Sequence, residues 1–546
     1  MQRKKLLAIF IAILLFCLTA CKENPKDSSI SDNPTSSTSS PTASAVISML
    51  YNSKDSFNPF TCKTAQNRIL TQLMYDTLVV INNNYEAEYN IAESAVYENK
   101  QITVKLRSLQ FSDGATLTAQ DVVFSFETAK KNSSNYSASL SHISSAKATD
   151  NVTVVFNLDR HDPYSINLLT FPIIKYGSDQ LKDSDNRELP PIGCGKYVLN
   201  SNEKTLIKND LHSGNYKIAS IRLVDSPDSE SVNQTVSAGG IDYYFTDLAD
   251  NVIPKMNGTS ADIPQNRIVF LGVNANNSIM SNMYFRQAVS SALNREDICK
   301  TAYFSKATAA KGLFSPFWKE ATSLQTIETT PNLTTTTENL KNAGITKKDE
   351  QGYYLLNNNK RLVLTLLVSS DNSCRMNAAE IIKKNLNSVG IYVEIKAVTN
   401  EQFKTLVTGT SYDMYLGEVR LENNMDPGGL VELKSGSALV KATTVSNTLN
   451  NTTSAVSSKP TTTSSNTSVS SSFTADVPEI TLTTKQAYKG YCEGIYNIQD
   501  LITAYTAELP TIPICFRSGL VIYSDKLGSG ISPIVSDVFH GIENLK

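Results

Sequence analysis

The sequence predicts an α/β protein with more than one lobe. The chain has 546 residues, of which 40% are hydrophobic and 19% are charged, and this length supplies material for roughly two to four packed lobes. Apolar and polar runs of helix and strand length alternate from about residue 45 to residue 317, with Pro and Gly at loop spacing. A β-α-β unit follows between residues 362 and 396.

The composition excludes several classes of function. Fifty Lys and Arg residues face 52 Asp and Glu residues, for a net charge of −2, and no basic block follows the first five residues, so we expect no nucleic-acid binding. The four His residues do not form a pair with metal-ligand spacing. A GxSxG motif is missing, and the Gly-Cys-Gly at 193–195 is too short for a phosphate loop. We therefore expect no metal ion, no cofactor and no enzymatic activity.

The N-terminal 44 residues predict export and membrane attachment. Three basic residues precede an apolar run from residue 6 to residue 18, which has the length of a secretory signal and is short for a membrane span. The Leu-Thr-Ala-Cys sequence ending at Cys21 resembles the lipobox of bacterial lipoproteins, which implies removal of residues 1–20 and a diacylglyceryl anchor on Cys21. The alternative is an ordinary signal peptide with a coincidental Cys. Residues 21–44 are polar and predict a disordered tether.

Local patterns predict individual elements in the first part of the folded chain. Residues 101–106 alternate as a strand whose one face carries Ile102, Val104 and Leu106. The Phe-Ser-Asp-Gly sequence at 111–114 supplies a turn. Thr118 and Asp121 predict a capping box at the start of a helix, because each side chain can bond to the other residue's backbone N–H.

The later part of the chain is also patterned. Residues 362–368 are almost continuously apolar, which is typical of a strand covered on both faces. A helix and a second strand follow, because apolar residues recur at helical spacing at Ala378, Ile382, Leu386 and Val389. Gly390 stands where a left-handed helix cap is expected. Residues 441–477 are rich in Ser, Thr and Asn and predict a long disordered insertion, and residues 486–509 predict a helix.

Four stretches of sequence carry a family pattern when they are taken together. The first joins Ile-Thr-Val-Lys-Leu-Arg at 102–107 to Phe-Ser-Asp-Gly-Ala-Thr-Leu-Thr-Ala-Gln-Asp at 111–121. The others are Pro-Ile-Gly-Cys-Gly-Lys-Tyr at 191–197, Phe-Arg-Gln-Ala at 285–288 with Asn-Arg-Glu at 294–296, and Tyr-Asp-Met-Tyr-Leu at 412–416 with Asp-Pro at 426–427. Together they resemble family 5 of the extracellular solute-binding proteins of ABC transporters, which bind peptides, nickel or oligosaccharides. Cys194, Lys196 and Asn294 depart from the family pattern.

The resemblance implies a two-lobed periplasmic-binding-protein fold of the class II, cluster C type, with an extra subdomain in the first lobe. The two lobes would close on a ligand about a hinge. The organisation that we expect is lobe 1 from residues 45–77, 179–275 and 510–546, the extra subdomain from 78–178, and lobe 2 from 276–509, with the insertion inside lobe 2.

The resemblance also implies the ligand contacts. In the family, the loop after the first strand and the strand before the Asp-Pro motif line the cleft, and one tyrosine comes from the subdomain wall. The corresponding residues here are Lys63, Thr64, Ala65, Tyr136, Val419, Arg420, Leu421, Glu422 and Asn423.

Two features of these contacts bear on the ligand. Peptide-binding members place an aspartate where this chain has Asn423, so a ligand ammonium would lose its charge partner here. Glu422 is one residue away, but on a strand it would point to the opposite face unless the chain bends. Arg420 and Lys63 favour an anionic group on the ligand, although both could be solvated surface charges. The single tryptophan, Trp318, is expected to pack internally rather than to form a stacking platform.

We therefore expect a monomeric, lipid-anchored protein on the outer face of a bacterial cell membrane, of Gram-positive type. It would capture a small, peptide-like solute and deliver it to an ABC permease with its ATPase subunits. The alternatives are a sensory or surface-interaction protein on the same fold, and an importer subunit for an oligosaccharide or another small solute. Export permits disulfides, and the six remaining cysteines allow fifteen connectivities among which the sequence does not choose: Cys62, Cys194, Cys299, Cys374, Cys492 and Cys515.

Overall fold

The computed structural model describes residues 45–200, 202, 204–248, 255–274, 276, 278–409, 411–431 and 482–544. The predicted signal peptide, Cys21, the tether and the insertion at 441–477 lie outside these residues. Every helix within the described ranges is too short or too polar to cross a membrane.

Seventeen strands lie within the described residues. They are β1 (Ala45–Tyr51), β2 (Val79–Ile81), β3 (Ala87–Tyr89), β4 (Ala92–Glu98), β5 (Gln101–Leu106), β6 (Ile143–Ala148), β7 (Thr153–Leu158), β8 (Tyr197–Asn200), β9 (Thr205–Lys208), β10 (Ile218–Asp225), β11 (Tyr243–Thr246), β12 (Thr259–Val273), β13 (Ala307–Ala309), β14 (Val363–Ser369), β15 (Tyr392–Val398), β16 (Met414–Arg420) and β17 (Thr511–Tyr523).

Thirteen α-helices accompany them in the described part of the chain. They are α1 (Ala65–Met74), α2 (Ala119–Lys130), α3 (Ser229–Ser237), α4 (Ser278–Ser281), α5 (Met283–Ser291), α6 (Arg295–Asp297), α7 (Lys319–Thr322), α8 (Leu333–Asn342), α9 (Ser373–Ser388), α10 (Asn400–Leu406), α11 (Gly428–Val431), α12 (Thr484–Glu493) and α13 (Ile498–Glu508).

One mixed sheet of eleven strands organises the molecule. Its order is β15-β14-β16-β12-β17-β11-β1-β10-β9-β8, with β13 also beside β17. The two long antiparallel strands β12 and β17 run through both halves of this sheet. Their pairing shifts register between Pro264 and Ile268, so residues 265–267 separate the half that contains β1 (lobe 1) from the half that contains β14 and β16 (lobe 2).

The sheet of lobe 2 is covered on both faces, as the apolar strand pattern predicted. On β14, Leu364 and Leu366 belong to one hydrophobic core, whereas Leu367 belongs to the larger core on the other side. The β-α-β unit is confirmed, because β14 and β15 are parallel and are joined by α9. Gly390 has a φ of +96°, which is the left-handed conformation expected after the helix.

The extra subdomain is a four-stranded antiparallel sheet of order β4-β5-β7-β6. The helix α2 packs on it through Phe126, whose ring centroid lies 5.5 Å from that of Phe156. The predicted capping box is present, since the Asp121 carboxylate accepts a hydrogen bond from the Thr118 backbone N–H at 2.8 Å. Ile102, Val104 and Leu106 of β5 are buried as expected.

The helix expected over 486–509 is two helices. Gly494 ends α12 in the left-handed conformation, with a φ of +79°, and Asn497 caps α13 by accepting from the Asp500 N–H at 3.1 Å. The helical spacing of apolar residues continues from α12 into α13, because both helices bury an apolar face against the larger hydrophobic core. The turn between them was the feature that the pattern missed.

Two of the family stretches have structural roles. A Cβ on Gly195 would overlap the backbone at Met74 and Tyr75, so the second stretch needs glycine for a close approach to the end of α1. In the third stretch, Arg286 donates to the Glu508 and Leu509 carbonyls at 2.7–3.0 Å. Arg295 is fully buried and donates to the Pro513 carbonyl at 2.8 Å. Both arginines therefore hold the start of β17.

Candidate functional site

The strands of the two lobes point their carboxyl ends at each other. In lobe 1, β1 and β11 are parallel, and β11 is antiparallel to β17. The strands β1 and β11 therefore run toward the point where the pairing of β12 with β17 shifts register. In lobe 2, β16 runs from Met414, opposite Val273, to Arg420, opposite Arg267, and β14 is parallel to it. Loops at the carboxyl ends of strands are the usual location of ligand sites in open α/β sheets.

Three arginines surround one buried carboxylate at this boundary, and we call this set the arginine cluster. Glu418 of β16 lies 3.3 Å from the nearest nitrogens of Arg267, Arg375 and Arg517. Its side chain is only 6% exposed. Burial by itself would raise the pKa of Glu418, but the three guanidinium groups outweigh it and hold the pKa below its ordinary value. Glu418 is therefore an ionised counter-ion shared by three cations.

The arginine cluster also ties the two lobes together. Arg267 lies 3.0 Å from the Asp247 carboxylate, just after β11. Arg517 donates to the backbone carbonyl of Leu248. Arg375 belongs to the first turn of α9, just after β14. The cluster thus connects β12 and β17, which run through both lobes, to the residues that follow β11 in lobe 1 and β14 in lobe 2.

The predicted loop after β1 is organised by Asp55. Its carboxylate accepts from the backbone N–H groups of Lys63 and Thr64 at 2.8 and 2.7 Å. Thr64 is the N-cap of α1, whereas Lys63 in the loop and Ala65, the first residue of α1, are exposed. Arg68 folds back onto this loop and donates to the Lys63 carbonyl at 3.1 Å.

The structure brings the loop and the predicted subdomain tyrosine together. Asn135 donates to the carbonyls of Phe60 and Cys62 at 2.8 and 2.9 Å. The ring of Tyr136 packs edge-on against Phe60, with centroids 6.0 Å apart. The tyrosine that the family pattern assigned to the subdomain wall therefore lies against the loop that follows β1.

Arg420 joins this group from the opposite lobe. It is exposed at the end of β16, and its charge acts on the phenols of both Tyr85 and Tyr136. Burial raises the pKa of each phenol. Ser315 opposes that rise at Tyr85 and Arg68 opposes it at Tyr136, and Arg420 adds a smaller opposing effect at both. The phenol oxygen of Tyr85 is buried and, among the described residues, has no hydrogen-bond partner of good geometry.

Glu422 and Asn423 lie in a turn, which corrects the expectation that the strand continues through them. β16 ends at Arg420, and Met425 has a φ of +60°. The backbone carbonyl of Glu422 accepts from Met425 N–H and from Asn266 Nδ2, both at 2.9 Å. Strand alternation therefore does not decide where the Glu422 side chain points. The chain bends here, and such a bend is the condition under which Glu422 could approach a ligand.

The turn docks on the extra subdomain. Asn167 Nδ2 donates to the Asn423 carbonyl at 3.1 Å, and the Asn423 amide donates to Thr170 Oγ1 at 3.4 Å. The neighbouring predicted contacts, Val419 and Leu421, are buried in the larger core. Asn423 thus bridges lobe 2 to the subdomain.

A partly buried ion pair strengthens this contact, and we call it the Arg160 latch. Arg160 follows β7 of the subdomain and lies 2.7 Å from the Asp426 carboxylate of the Asp-Pro motif. Arg160 also donates to the Tyr488 hydroxyl at 3.0 Å, and that hydroxyl donates to Asp426 at 2.8 Å. Burial alone would raise the pKa of Asp426, and Arg160 reverses this and lowers it. The Asp-Pro motif therefore connects the subdomain to α12.

Two further expectations concern packing. Trp318 is 2% exposed, with its ring centroid 4.8 Å from that of Tyr164, so its internal packing role is confirmed. All six cysteines of the described residues are free thiols.

Comparison with known proteins agrees with this architecture. The sequence pattern of the family "Bacterial extracellular solute-binding proteins, family 5 Middle" matches residues 86–438. The chain belongs to this family. A Brucella ovis protein named for ABC-transporter peptide binding is 22% identical over 396 residues, which is 68% of this chain and 72% of that protein. Members of family 5 are extracytoplasmic substrate-binding proteins of ABC importers, work with permease and ATPase components, and are not enzymes.

Two solved structures share the two-lobed family 5 fold. NikA from Brucella suis, solved with Fe(III)-EDTA, has a TM-score of 0.63 and 16% identity and covers 92% of this chain and 99% of its own. The oligopeptide-binding protein AppA from Bacillus subtilis, solved with a nonapeptide, has a TM-score of 0.54 and 17% identity, with 91% and 97% covered.

Sequence reasoning missed the arginine cluster of this family member. Arg517 offered a signal, since it is a charged residue within a strand that is buried at every position. Such a residue needs a partner. Its partner Glu418 is 99 residues away in the chain, and no local pattern connects the two.

Proposed function

We propose that this protein is the substrate-binding component of an ABC importer and captures a peptide-like solute between its two lobes. One observation carries the proposal. Asn135 of the subdomain bonds to the loop after β1, Tyr136 packs on Phe60 of the same loop, and Arg420 of lobe 2 stands at the carboxyl end of β16. The names of the relatives, which include peptide-binding and oligopeptide-binding proteins, support the solute class.

The proposed movement is a closure about β12 and β17. Each of these strands crosses from one lobe to the other, and their pairing shifts at residues 265–267. Closure about two strands would let one ligand contact both walls and would exclude water. For the moving parts we propose lobe 2 at residues 276–509 together with the halves of β12 and β17 that pair beside β16, Ile268–Val273 and Thr511–Phe516, and the subdomain at 78–178.

We further propose that the mature protein begins at Cys21 and is held by acyl chains on the outer face of the membrane. The supporting observation is the Leu-Thr-Ala-Cys sequence after the apolar run. Each buried CH₂ of an acyl chain contributes about 0.8 kcal/mol to membrane binding. The protein would then deliver its solute to a permease driven by ATPase subunits.

The test of the function is direct identification of the solute. The protein is purified from its own host, examined by native mass spectrometry and then denatured, and any released molecule is identified. A released peptide that also raises the melting temperature on re-addition supports the proposal. A released oligosaccharide or metal chelate replaces the solute class. An empty protein that ignores peptide, oligosaccharide and nickel-chelate mixtures contradicts the importer role and favours a surface-interaction role.

The anchor has a separate test. Changing Cys21 to Ser should move the protein from the membrane fraction to the medium, because the thioether can no longer form. A matched Cys62→Ser variant should leave the protein in the membrane fraction. Retention of the Cys21→Ser variant in the membrane would contradict lipidation at this residue.

A further inference from the structure

Two cysteines lie together in the core of lobe 2. Cys515 is a fully buried residue of β17 and pairs with Val269 of β12 on one side and with Ala309 of β13 on the other. Cys299 is 6% exposed and lies in the π-helical turn Ile298–Ala302, which follows α6. Both side chains belong to the same hydrophobic core. They are far apart in the chain, so only the fold brings them together.

The path of the backbone carries the π-helical turn to β17. The Cys299 carbonyl accepts a hydrogen bond from the Ser305 N–H at 3.0 Å, which folds the end of this turn back toward Cys299. The strand β13 follows directly, runs antiparallel to β17 and reaches the position opposite Cys515 at Ala309. The two thiols meet there, since a side-chain hydrogen bond joins Cys515 to Cys299.

This thiol-to-thiol contact distinguishes the pair from the other cysteines of the described ranges. Cys374 belongs to the same core, but its thiol is bonded to Ser373. The main charges and hydrogen bonds at the remaining three do not come from another cysteine: Cys62, Cys194 and Cys492. The fold therefore selects one pair where the sequence left fifteen connectivities open.

The compartment favours a covalent bond between the two thiols. Members of family 5 are extracytoplasmic, and disulfides form and persist in proteins that have left the reducing cytoplasm. Two thiols that already contact each other need little movement to reach the separation of a disulfide.

We propose that Cys299 and Cys515 are a modification site, at which an extracytoplasmic thiol–disulfide oxidoreductase joins them in a disulfide that braces lobe 2. Two S–H bonds break and one S–S bond forms. The disulfide of the oxidoreductase takes up the two electrons and the two protons and becomes a dithiol. The proposal goes beyond the solute-binding function and holds for any solute.

The bond must form before the core of lobe 2 is complete. Both thiols are buried in the folded protein, and burial raises the pKa of Cys515 well above its ordinary value, so the folded thiol is a poor nucleophile. The strand β17 is the last strand of the described chain. Oxidation therefore accompanies its pairing, while an oxidant still reaches both sulfurs, and the finished bond is shielded from reductants.

The disulfide would stabilise lobe 2 without restricting closure. Cys515 lies in the half of β17 that pairs beside lobe 2, Thr511–Phe516, and Cys299 lies within lobe 2, so the bond does not cross the boundary between the lobes. It closes a loop over residues 299–515, which is most of lobe 2. In the chain-entropy model, closing so long a loop restricts the unfolded chain strongly.

The first measurement is a non-reducing peptide map of the full-length protein, purified in detergent from its own host. The protein is denatured in urea with iodoacetamide, so that every free thiol is blocked. A double digest with trypsin and glutamyl endopeptidase is used, because cleavage after Glu493 and Glu508 separates Cys515 from Cys492. We expect peptide 297–300 linked to peptide 509–517, and the linked species should disappear on reduction.

The second measurement is thermal melting with and without tris(2-carboxyethyl)phosphine. The reductant should lower the melting temperature of the wild type by roughly 5 °C, because unfolding exposes the bond to reduction. Cys299→Ala should melt at one temperature under both conditions, since it cannot form the bond. Cys374→Ala removes another buried thiol of the same core and should keep the effect of the reductant.

The outcomes decide the pairing and its role separately. Alkylated Cys299 and Cys515 in the protein from the host would overturn the proposal, and a link from either one to a different cysteine would overturn the pairing. A wild-type melting temperature that the reductant leaves unchanged would overturn the bracing of lobe 2. The peptide map needs no variant, so it decides the pairing even if Cys299→Ala fails to fold.

Discussion

Replacing Glu418 by Gln should destabilise the protein strongly, although the two side chains have nearly the same shape. The change leaves Arg267, Arg375 and Arg517 around a neutral amide at the junction of the two hinge strands. At about 4 Å and an effective dielectric constant near 20, each lost attraction is about 4 kcal/mol. Part of this is offset, because Glu418 no longer has to be desolvated. Removal of one partner from a buried ion pair typically costs about 3–5 kcal/mol, and we expect a loss in that range.

The measurement is equilibrium urea unfolding at pH 7, followed by circular dichroism. The matched control is Glu93→Gln, which makes the same chemical change in an ion pair whose side chains are 54% and 58% exposed. Solvent screens a pair this exposed almost completely, so the control should unfold close to the wild type. If Glu418→Gln unfolds at the same urea concentration as Glu93→Gln, the arginine cluster does not hold the lobes together.

The pH dependence gives a second check on Glu418. Its pKa is lowered from an ordinary value of 4.5 in the folded protein. The carboxylate therefore contributes its full stabilisation above pH 4.5, and this contribution is lost as the pH falls through the lowered folded value. The difference between the wild type and Glu418→Gln should be constant from pH 5 to pH 7 and should shrink in stronger acid. A difference that already shrinks above pH 5 would contradict the lowered pKa.

Three further predictions follow from single contacts. Arg160→Gln breaks the Arg160 latch, so it should cost about 1.5–3 kcal/mol and enlarge the radius of gyration in X-ray scattering. An unchanged radius would contradict the idea that the latch holds the subdomain against lobe 2. Gly195→Ala, which forces a Cβ into backbone, should cost about 1–3 kcal/mol in thermal melts, whereas Gly429→Ala, with Val419 Cγ2 at 3.7 Å, should be tolerated. Burial raises the pKa of Cys62 to about 12, so its thiol stays protonated at pH 9 and iodoacetamide should label it only after denaturation. Rapid labelling of Cys62 in the folded protein, detected by peptide mapping, would refute this.

Local pattern was a reliable guide where neighbours in sequence are also neighbours in space. The β14–α9–β15 unit, the capping box at Thr118 and the strand β5 were all predicted, because each depends on residues within a few positions of one another. The same kind of pattern failed at Gly494, where two amphipathic helices with a common buried face read as one periodic segment.

The candidate site was predicted only in part. The family pattern named the loop after β1, Tyr136 and Arg420 as contacts. Tyr136 packs on Phe60 of that loop, and the role of these residues in binding a ligand stays a prediction. The bend on which a ligand contact by Glu422 depended is present, because β16 ends at Arg420 and Met425 has a positive φ, and the contact itself stays a prediction. The Asn-Asn pair at 423–424 and the Asp-Pro pair at 426–427 are turn signals that the strand assignment did not take into account.

By itself, the sequence determined the α/β class, the amphipathic helices and strands and the membership of the solute-binding family. These properties depend on the spacing of nearby residues and on motifs of consecutive residues. Only the tertiary structure decided the charge of the boundary between the lobes. Arg267, Glu418 and Arg517 are separated by about a hundred residues or more, and they meet because β12, β16 and β17 are neighbours in one sheet. A charge shared among distant strands exists only after those strands have paired.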